Sequence, residues 1–125
     1  MNHLKKLRKT AFTKQNGKCC YCGFHMWQDS AESFAKQHGI TVEQARVFQC
    51  TAEHLTARQD GGKDKEPNIA AACWFCNQDR HHRAKPMQPD IYKHFVRTRV
   101  RNDNWHPVPR RALKLVRMSL QISAG

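Results

Sequence analysis

Two pairs of cysteines share one spacing, Cys19-x-x-Cys22 and Cys73-x-x-Cys76. A two-residue spacer lets both sulfurs of a pair approach a single tetrahedral ion at about 2.3 Å, so structural zinc is the expectation. An iron–sulfur cluster would need a redox context, and a redox-active Cys-x-x-Cys would need a βαβ surround; neither is found in the chain. Four protein ligands close the coordination shell, which leaves this ion a folding role and no catalytic one. Zinc-finger binding energies of about 10–16 kcal/mol exceed the stability of a small domain. Cys20 and Cys50 are left over as buried thiols or partly exposed bystanders, with Cys20 open as an alternative ligand.

Between and beyond these pairs lie groups of another kind: Glu53-His54, then Gly61-Gly62, then Asn68, and after Cys76 the residues Asn77 and His81. Hydrolysing a phosphodiester requires an attacking water to lose a proton on one side of phosphorus while the departing oxygen is stabilised on the other. A histidine with a near-neutral pKa can take that proton. Carboxylate, amide and imidazole groups can hold a divalent cation. Asn77 and His81 stand four apart and would share one helix face, from which His82 is rotated by about 100°.

In order and spacing these residues resemble the HNH endonuclease family, whose ββα-metal motif joins an acid-His or His-His pair, a Gly-Gly loop, an Asn and a helical His or Asn. The resemblance covers about residues 19–83 and includes the cysteine framework of the zinc-bearing members. It implies His54 as general base, Asn68 crossing the ββ loop to hold that base, and Glu53, Asn77 and His81 around a catalytic ion. Oxygen donors from Glu53 and Asn77 favour Mg²⁺ or Mn²⁺ there over Zn²⁺. Arg58 falls where the family places groups near the scissile phosphate. Asn68 also reads as a turn residue after Pro67, and Arg80-His81-His82-Arg83 as a basic face on phosphate.

Such a site needs a strand, strand, helix unit to position it, expected over roughly 51–85. Val47 to Leu55 has β character, Asp60-Gly61-Gly62 makes a loop, and Asn68 to Cys73 returns as a second strand. Cys76 to Arg83 contains no breaker before Pro86, so helix follows at once. Upstream, Leu4, Leu7, Ala11 and Phe12 fall near one face of a basic amphipathic helix that Asn16-Gly17 stops, and Gly23 closes the first knuckle with positive φ. Residues 30–48 read as an insertion of two short helices parted at His38-Gly39, the second opened by a Thr41 to Gln44 capping box. Asp90 is the expected N-cap of a helix carrying Ile91, Phe95 and Val96, and a last basic helix runs from Arg110 to about Leu120. The fold class expected is α+β: a treble-clef-like zinc fold with an embedded ββα-metal motif and flanking basic helices. Residues 1–89 form the nuclease domain and 90–125 a helical extension packed on it.

Charge supports a polyanionic partner. The net charge is +12, with six bases and no acid in 1–28, five bases against eight acids in 29–79, and eleven bases against two acids in 80–125. Basic flanks around a mildly acidic centre suit arms that grip nucleic acid. Arg58, Arg80, Arg83, Arg97, Arg99 and Arg101 are the candidate contacts. Trp27, Trp74, Phe75 and Trp105 could stack on bases or fill the small core. DNA is the expected partner, a homodimer stays open, and no membrane contact is expected. No segment has the apolar core of a signal peptide, and the reducing chemistry of unpaired cysteines suits a cytoplasmic location. A noncatalytic zinc-stabilised DNA- or RNA-binding module is the alternative, against which the trio Glu53, His54 and Asn68 argues; a protein-interaction knuckle suits the charge less well.

Overall fold

The computed structural model describes residues 2–124, with side chains through Arg117. Helix α1 (His3–Lys14) opens on Asn2, whose side chain accepts from the Lys5 amide, and ends at Asn16 and Gly17, both at positive φ. The chain then doubles back through the first cysteine pair, pairing Lys18 with His25 in an antiparallel bridge. Helices α2 (Ala31–His38) and α3 (Val42–Arg46) follow, capped by Ser30 and by a Thr41–Gln44 capping box.

Strands β1 (Cys50–His54) and β2 (Ile69–Cys73) form a two-stranded antiparallel sheet in which Cys50 faces Cys73 and His54 faces Ile69. Short 3-10 turns at Arg58–Asp60 and Glu66–Asn68 shape the connection. Helix α4 (Trp74–His82) leaves β2 without a linker, then α5 (Pro89–Arg101) and α6 (Arg110–Ala124) complete the chain. The architecture is α+β, built around one buried cluster that joins the knuckle (Cys19, Tyr21, Cys22), the insertion (Phe34, Phe48), the sheet and the late helices through Tyr92, Val96, Leu113 and Val116. Fully burying one such side chain contributes about 1.5–3 kcal/mol, so the C-terminal helices are part of what holds the sheet in place.

Three boundaries differ from expectation. The first strand begins at Cys50 rather than Val47, because the amides of Phe48 and Gln49 bond back to Ala45 and Arg46 and extend the α3 turn. The site helix begins at Trp74, two residues early, because the Cys73 sulfur itself caps it by accepting from the Cys76 amide. Asp90 is not the N-cap: Gln88 occupies that position and Pro89, whose fixed φ suits N1, starts the helix, leaving Asp90 in its first turn.

Among the described residues no helix is long and apolar enough to cross a membrane.

Candidate functional site

The four knuckle cysteines converge. Cys19, Cys22, Cys73 and Cys76 are all buried and unpaired by disulfides, and their sulfurs lie within 4.8 Å of one another. Cys22 and Cys73 sulfurs stand 3.9 Å apart, close to the roughly 3.8 Å edge of a tetrahedron with metal–sulfur bonds of about 2.3 Å. Donors point at the sulfurs: the amides of Tyr21 and Cys73 onto Cys19 at 3.4 and 3.3 Å, and the Trp105 indole N–H onto Cys76 at 3.3 Å. Burial raises all four thiols, and at Cys19 hydrogen bonds from its neighbours outweigh it and set the thiol well below its ordinary range. Such a donor set fits a bound cation, which would replace thiol protons otherwise costly to remove in a buried place. Gly23, at φ +78°, closes the knuckle with the Arg97 guanidinium packed so near that a Cβ would stand 2.9 Å from it.

Neither remaining cysteine joins this group. The Cys19 sulfur, with burial, raises the Cys20 thiol well above its usual range, so Cys20 stays protonated beside the cluster. Burial pushes Cys50 up to about 12.

A second cluster lies at the end of the sheet, in a cleft of about 500 Å³ lined by Glu53, His54, Ala57, Arg58, Gln59, Asn77, His81 and Leu4. Glu53 is fully buried and accepts on both oxygens: Tyr21 Oη (2.8 Å) and Arg80 Nη1 (3.1 Å) donate to Oε2, and His81 Nε2 lies 2.6 Å from Oε1. Burial, with the Glu53 charge adding to it, raises the Tyr21 phenol far above its ordinary value, so this hydroxyl is a permanent donor. Asn77 uses its amide N–H₂ on Thr51 Oγ1 and the Ala52 carbonyl, tying α4 to β1 and leaving its oxygen free among the described residues. Cis ligands on an octahedral Mg²⁺ stand about 3 Å apart, so small shifts of Glu53 and His81 would admit an ion between them. Among the described residues the cysteine cluster is the one group of three or more His, Cys, Asp or Glu that meets on a common point.

His54 ends β1 and lines the same cleft as Glu53, although neighbours in a strand face opposite ways. Its Nε2 lies 2.8 Å from Asp64 Oδ1, and that contact, ahead of the Arg58 guanidinium, holds the Asp64 carboxyl below the usual carboxylate range. The Asn68 side chain makes no hydrogen bond to His54. It bonds the loop instead: Oδ1 accepts from the Thr56 amide, while Nδ2 donates to the carbonyls of Thr56 and Lys63. Gly62 permits this fold-back, since a Cβ there would sit 1.7 Å from the Thr56 carbonyl oxygen.

The expected nucleic-acid contacts divide. Arg80 is a correction: at 4% exposure its guanidinium serves Glu53 and the carbonyls of His54, Leu55 and Met87, because a buried carboxylate demands a buried cation. Arg97 is likewise drawn inward, to the Tyr21 carbonyl. Arg83 pairs with Asp79 and lies over the Phe95 ring, which Arg99 also covers. Arg101, on Thr98, and Arg58, on Asp64, stay exposed. Of the aromatics, Trp27 is held by the Ala45 carbonyl, Phe75 and Trp105 meet edge to face at 5.1 Å, and Trp74 is exposed.

Sequence reasoning missed Tyr21, Asp64 and the bond from Trp105 to Cys76. Tyr21 carried one signal, an aromatic with a polar tip between two metal-type thiols; Asp64 and Trp105 act across folds of chain that no spacing rule describes. Comparison with protein-family models, curated proteins and solved structures returned no match.

Proposed function

We propose that the chain is a metal-dependent DNA endonuclease of the HNH type, a treble-clef-like fold with structural zinc on Cys19, Cys22, Cys73 and Cys76. The observation that carries this is the convergence of His54, Glu53, Asn77 and His81 on one open cleft, with Asn68 fastening the loop that borders it. Glu53, Asn77 and His81 would hold Mg²⁺ or Mn²⁺. When bound, that ion supplies Lewis-acid stabilisation of charge on the departing oxygen. His54 takes the proton of the attacking water, and the exposed Arg58 side chain receives a phosphate oxygen. Tyr21 and Arg80 hold the Glu53 carboxylate in place by donating to its Oε2. The basic arms bring the polyanion to the cleft.

One observation favours the noncatalytic zinc-bearing nucleic-acid binder: Glu53, His81, Arg80 and Tyr21 already satisfy one another as a buried network. Supercoiled plasmid with Mg²⁺ or Mn²⁺ separates the two. Wild type nicks it. His54→Ala keeps its zinc, thermal transition and DNA affinity but cleaves at least about a hundredfold more slowly. Wild type inert with every divalent ion, or His54→Ala as fast as wild type, decides for the binder.

A further inference from the structure

Asp64 belongs to no metal cluster and stands ten residues from His54, yet its carboxylate is the partner that the structure gives that imidazole. The Asp64 Oδ1 to His54 Nε2 distance is 2.8 Å, and the same carboxylate accepts from Arg58 Nη2 at 3.0 Å. The backbone on both sides is pinned. Asn68 Nδ2 donates to the Lys63 carbonyl, the Asn68 amide donates to the Lys65 carbonyl, and the Asp64 carbonyl is 2.8 Å from His3 Nε2 on α1. An ionised carboxylate only accepts, so Nε2 must carry the hydrogen of the neutral ring. His54 Nδ1 has no hydrogen-bond partner among the described residues and is not among their buried unpaired atoms, which leaves it open to the cleft.

We infer that Asp64 is a positioning residue for His54, fixing the Nε2–H tautomer so that the Nδ1 lone pair faces the substrate. This rests on the nuclease assignment above. In the step it serves, the water oxygen bonds to phosphorus, the water proton passes to Nδ1, the bond to the leaving oxygen breaks and that oxygen takes a proton from solvent. The Nε2 proton stays on the ring, shared with Asp64. Asn68 acts one bond further out by holding the segment that presents Asp64, which gives it a task other than touching the base.

The test is made on the full ¹⁵N-labelled chain. Long-range proton–nitrogen correlation of the His54 ring, at a pH where it is neutral, is expected to show the Nε2–H form in wild type. Asp64→Asn, which keeps size and removes charge, is expected to mix or invert the tautomers and to lower kcat for plasmid nicking at least about tenfold, since a wrong tautomer disables a base. KM and zinc content should stay within twofold of wild type, and the thermal transition should stay within a few degrees, about the shift that 1 kcal/mol gives. An Nδ1–H ring in wild type, or Asp64→Asn with unchanged tautomer and kcat, overturns the role of Asp64 while leaving the nuclease standing. A wild-type chain that cleaves no DNA overturns the nuclease assignment and the catalytic purpose of the clamp together, whatever the tautomer.

Discussion

The Tyr21 hydroxyl donates a 2.8 Å hydrogen bond to the Glu53 carboxylate, joining the first cysteine knuckle to the floor of the cleft. Tyr21 lies between Cys19 and Cys22 of the sulfur cluster, so whatever orders the knuckle also orders Glu53. Its ring meets Tyr92 edge to face at 4.8 Å, which fixes the hydroxyl's direction. Tyr21→Phe keeps that packing and the cysteine ligands but leaves a buried carboxylate oxygen short of a donor. A hydrogen bond to a charged group contributes about 1.5–3 kcal/mol. The expected outcome is an unfolding free energy lower by that amount with one metal equivalent retained, checked by denaturant titration beside metal analysis.

Cys73→Ser should lose the metal and cooperative unfolding together. Cys73 belongs to the four-sulfur cluster, caps α4 and is the last residue of β2, so its loss loosens three elements at once. The untreated protein should contain about one zinc per chain. A metal-free chain that still unfolds cooperatively would show that the sulfur cluster is mere packing.

Arg80 and Arg101 should behave oppositely. Arg80→Ala leaves Glu53 buried without its cation, a loss of about 3–5 kcal/mol that removes most of the stability of a small domain. Arg99→Ala with Arg101→Ala should instead leave folding alone, weaken DNA binding regardless of sequence, and make the log K against log salt slope shallower by up to about 2. Urea unfolding and salt-dependent binding isotherms decide both.

Metal titration should separate Glu53 from His54. Glu53→Gln keeps volume and one accepting oxygen while lowering affinity for the proposed ion, so added Mn²⁺ should recover part of the nicking rate. His54→Ala should not recover at any concentration. Equal rescue of both variants would remove Glu53 from the ion.

Stability should fall on mild acidification. Burial pushes His106, packed among Phe24, Phe48 and Phe75 with Nε2 unpartnered, down to about 4. Burial likewise lowers His25 and His38. The unfolded chain, with histidine near 6.5, binds protons that the folded one refuses, so stability is whole above about pH 6.5 and declines towards pH 4. For His106 the full span is about 3 kcal/mol. Thiolate protonation acts in the same direction, so the check is a difference: the slope of unfolding free energy between pH 7 and pH 5 should be shallower in His106→Leu than in wild type.

Local chemistry was legible in the sequence where neighbours in the chain are neighbours in space. The Cys-x-x-Cys pairs, the Thr41–Gln44 box, the Asn16-Gly17 stop and the shared face of Asn77 and His81 are all of this kind. Illegible were bonds across the fold. Arg80 read as a surface base because nothing near it announces Glu53, 27 residues away, and Trp105 reaches Cys76 across 29. Residues such as Asp64 become partners only once Gly62 and Asn68 have folded the loop over the strand end.

The two halves of the sulfur cluster are also separated in time. Cys22 and Cys73 are 51 residues apart, so at about 5–20 residues per second a ribosome delivers the second pair roughly 3–10 s after the first. During that interval the nascent chain carries Cys19, Cys20, Cys22 and then Cys50 as unsheltered thiols, with half a binding site and no sheet to bury them. With structural zinc on that cluster, as proposed above, cation supply and reductant at the moment of synthesis should govern the yield of native protein. Chains made in zinc-poor or oxidising conditions should accumulate as disulfide-linked species that later addition of metal alone does not recover.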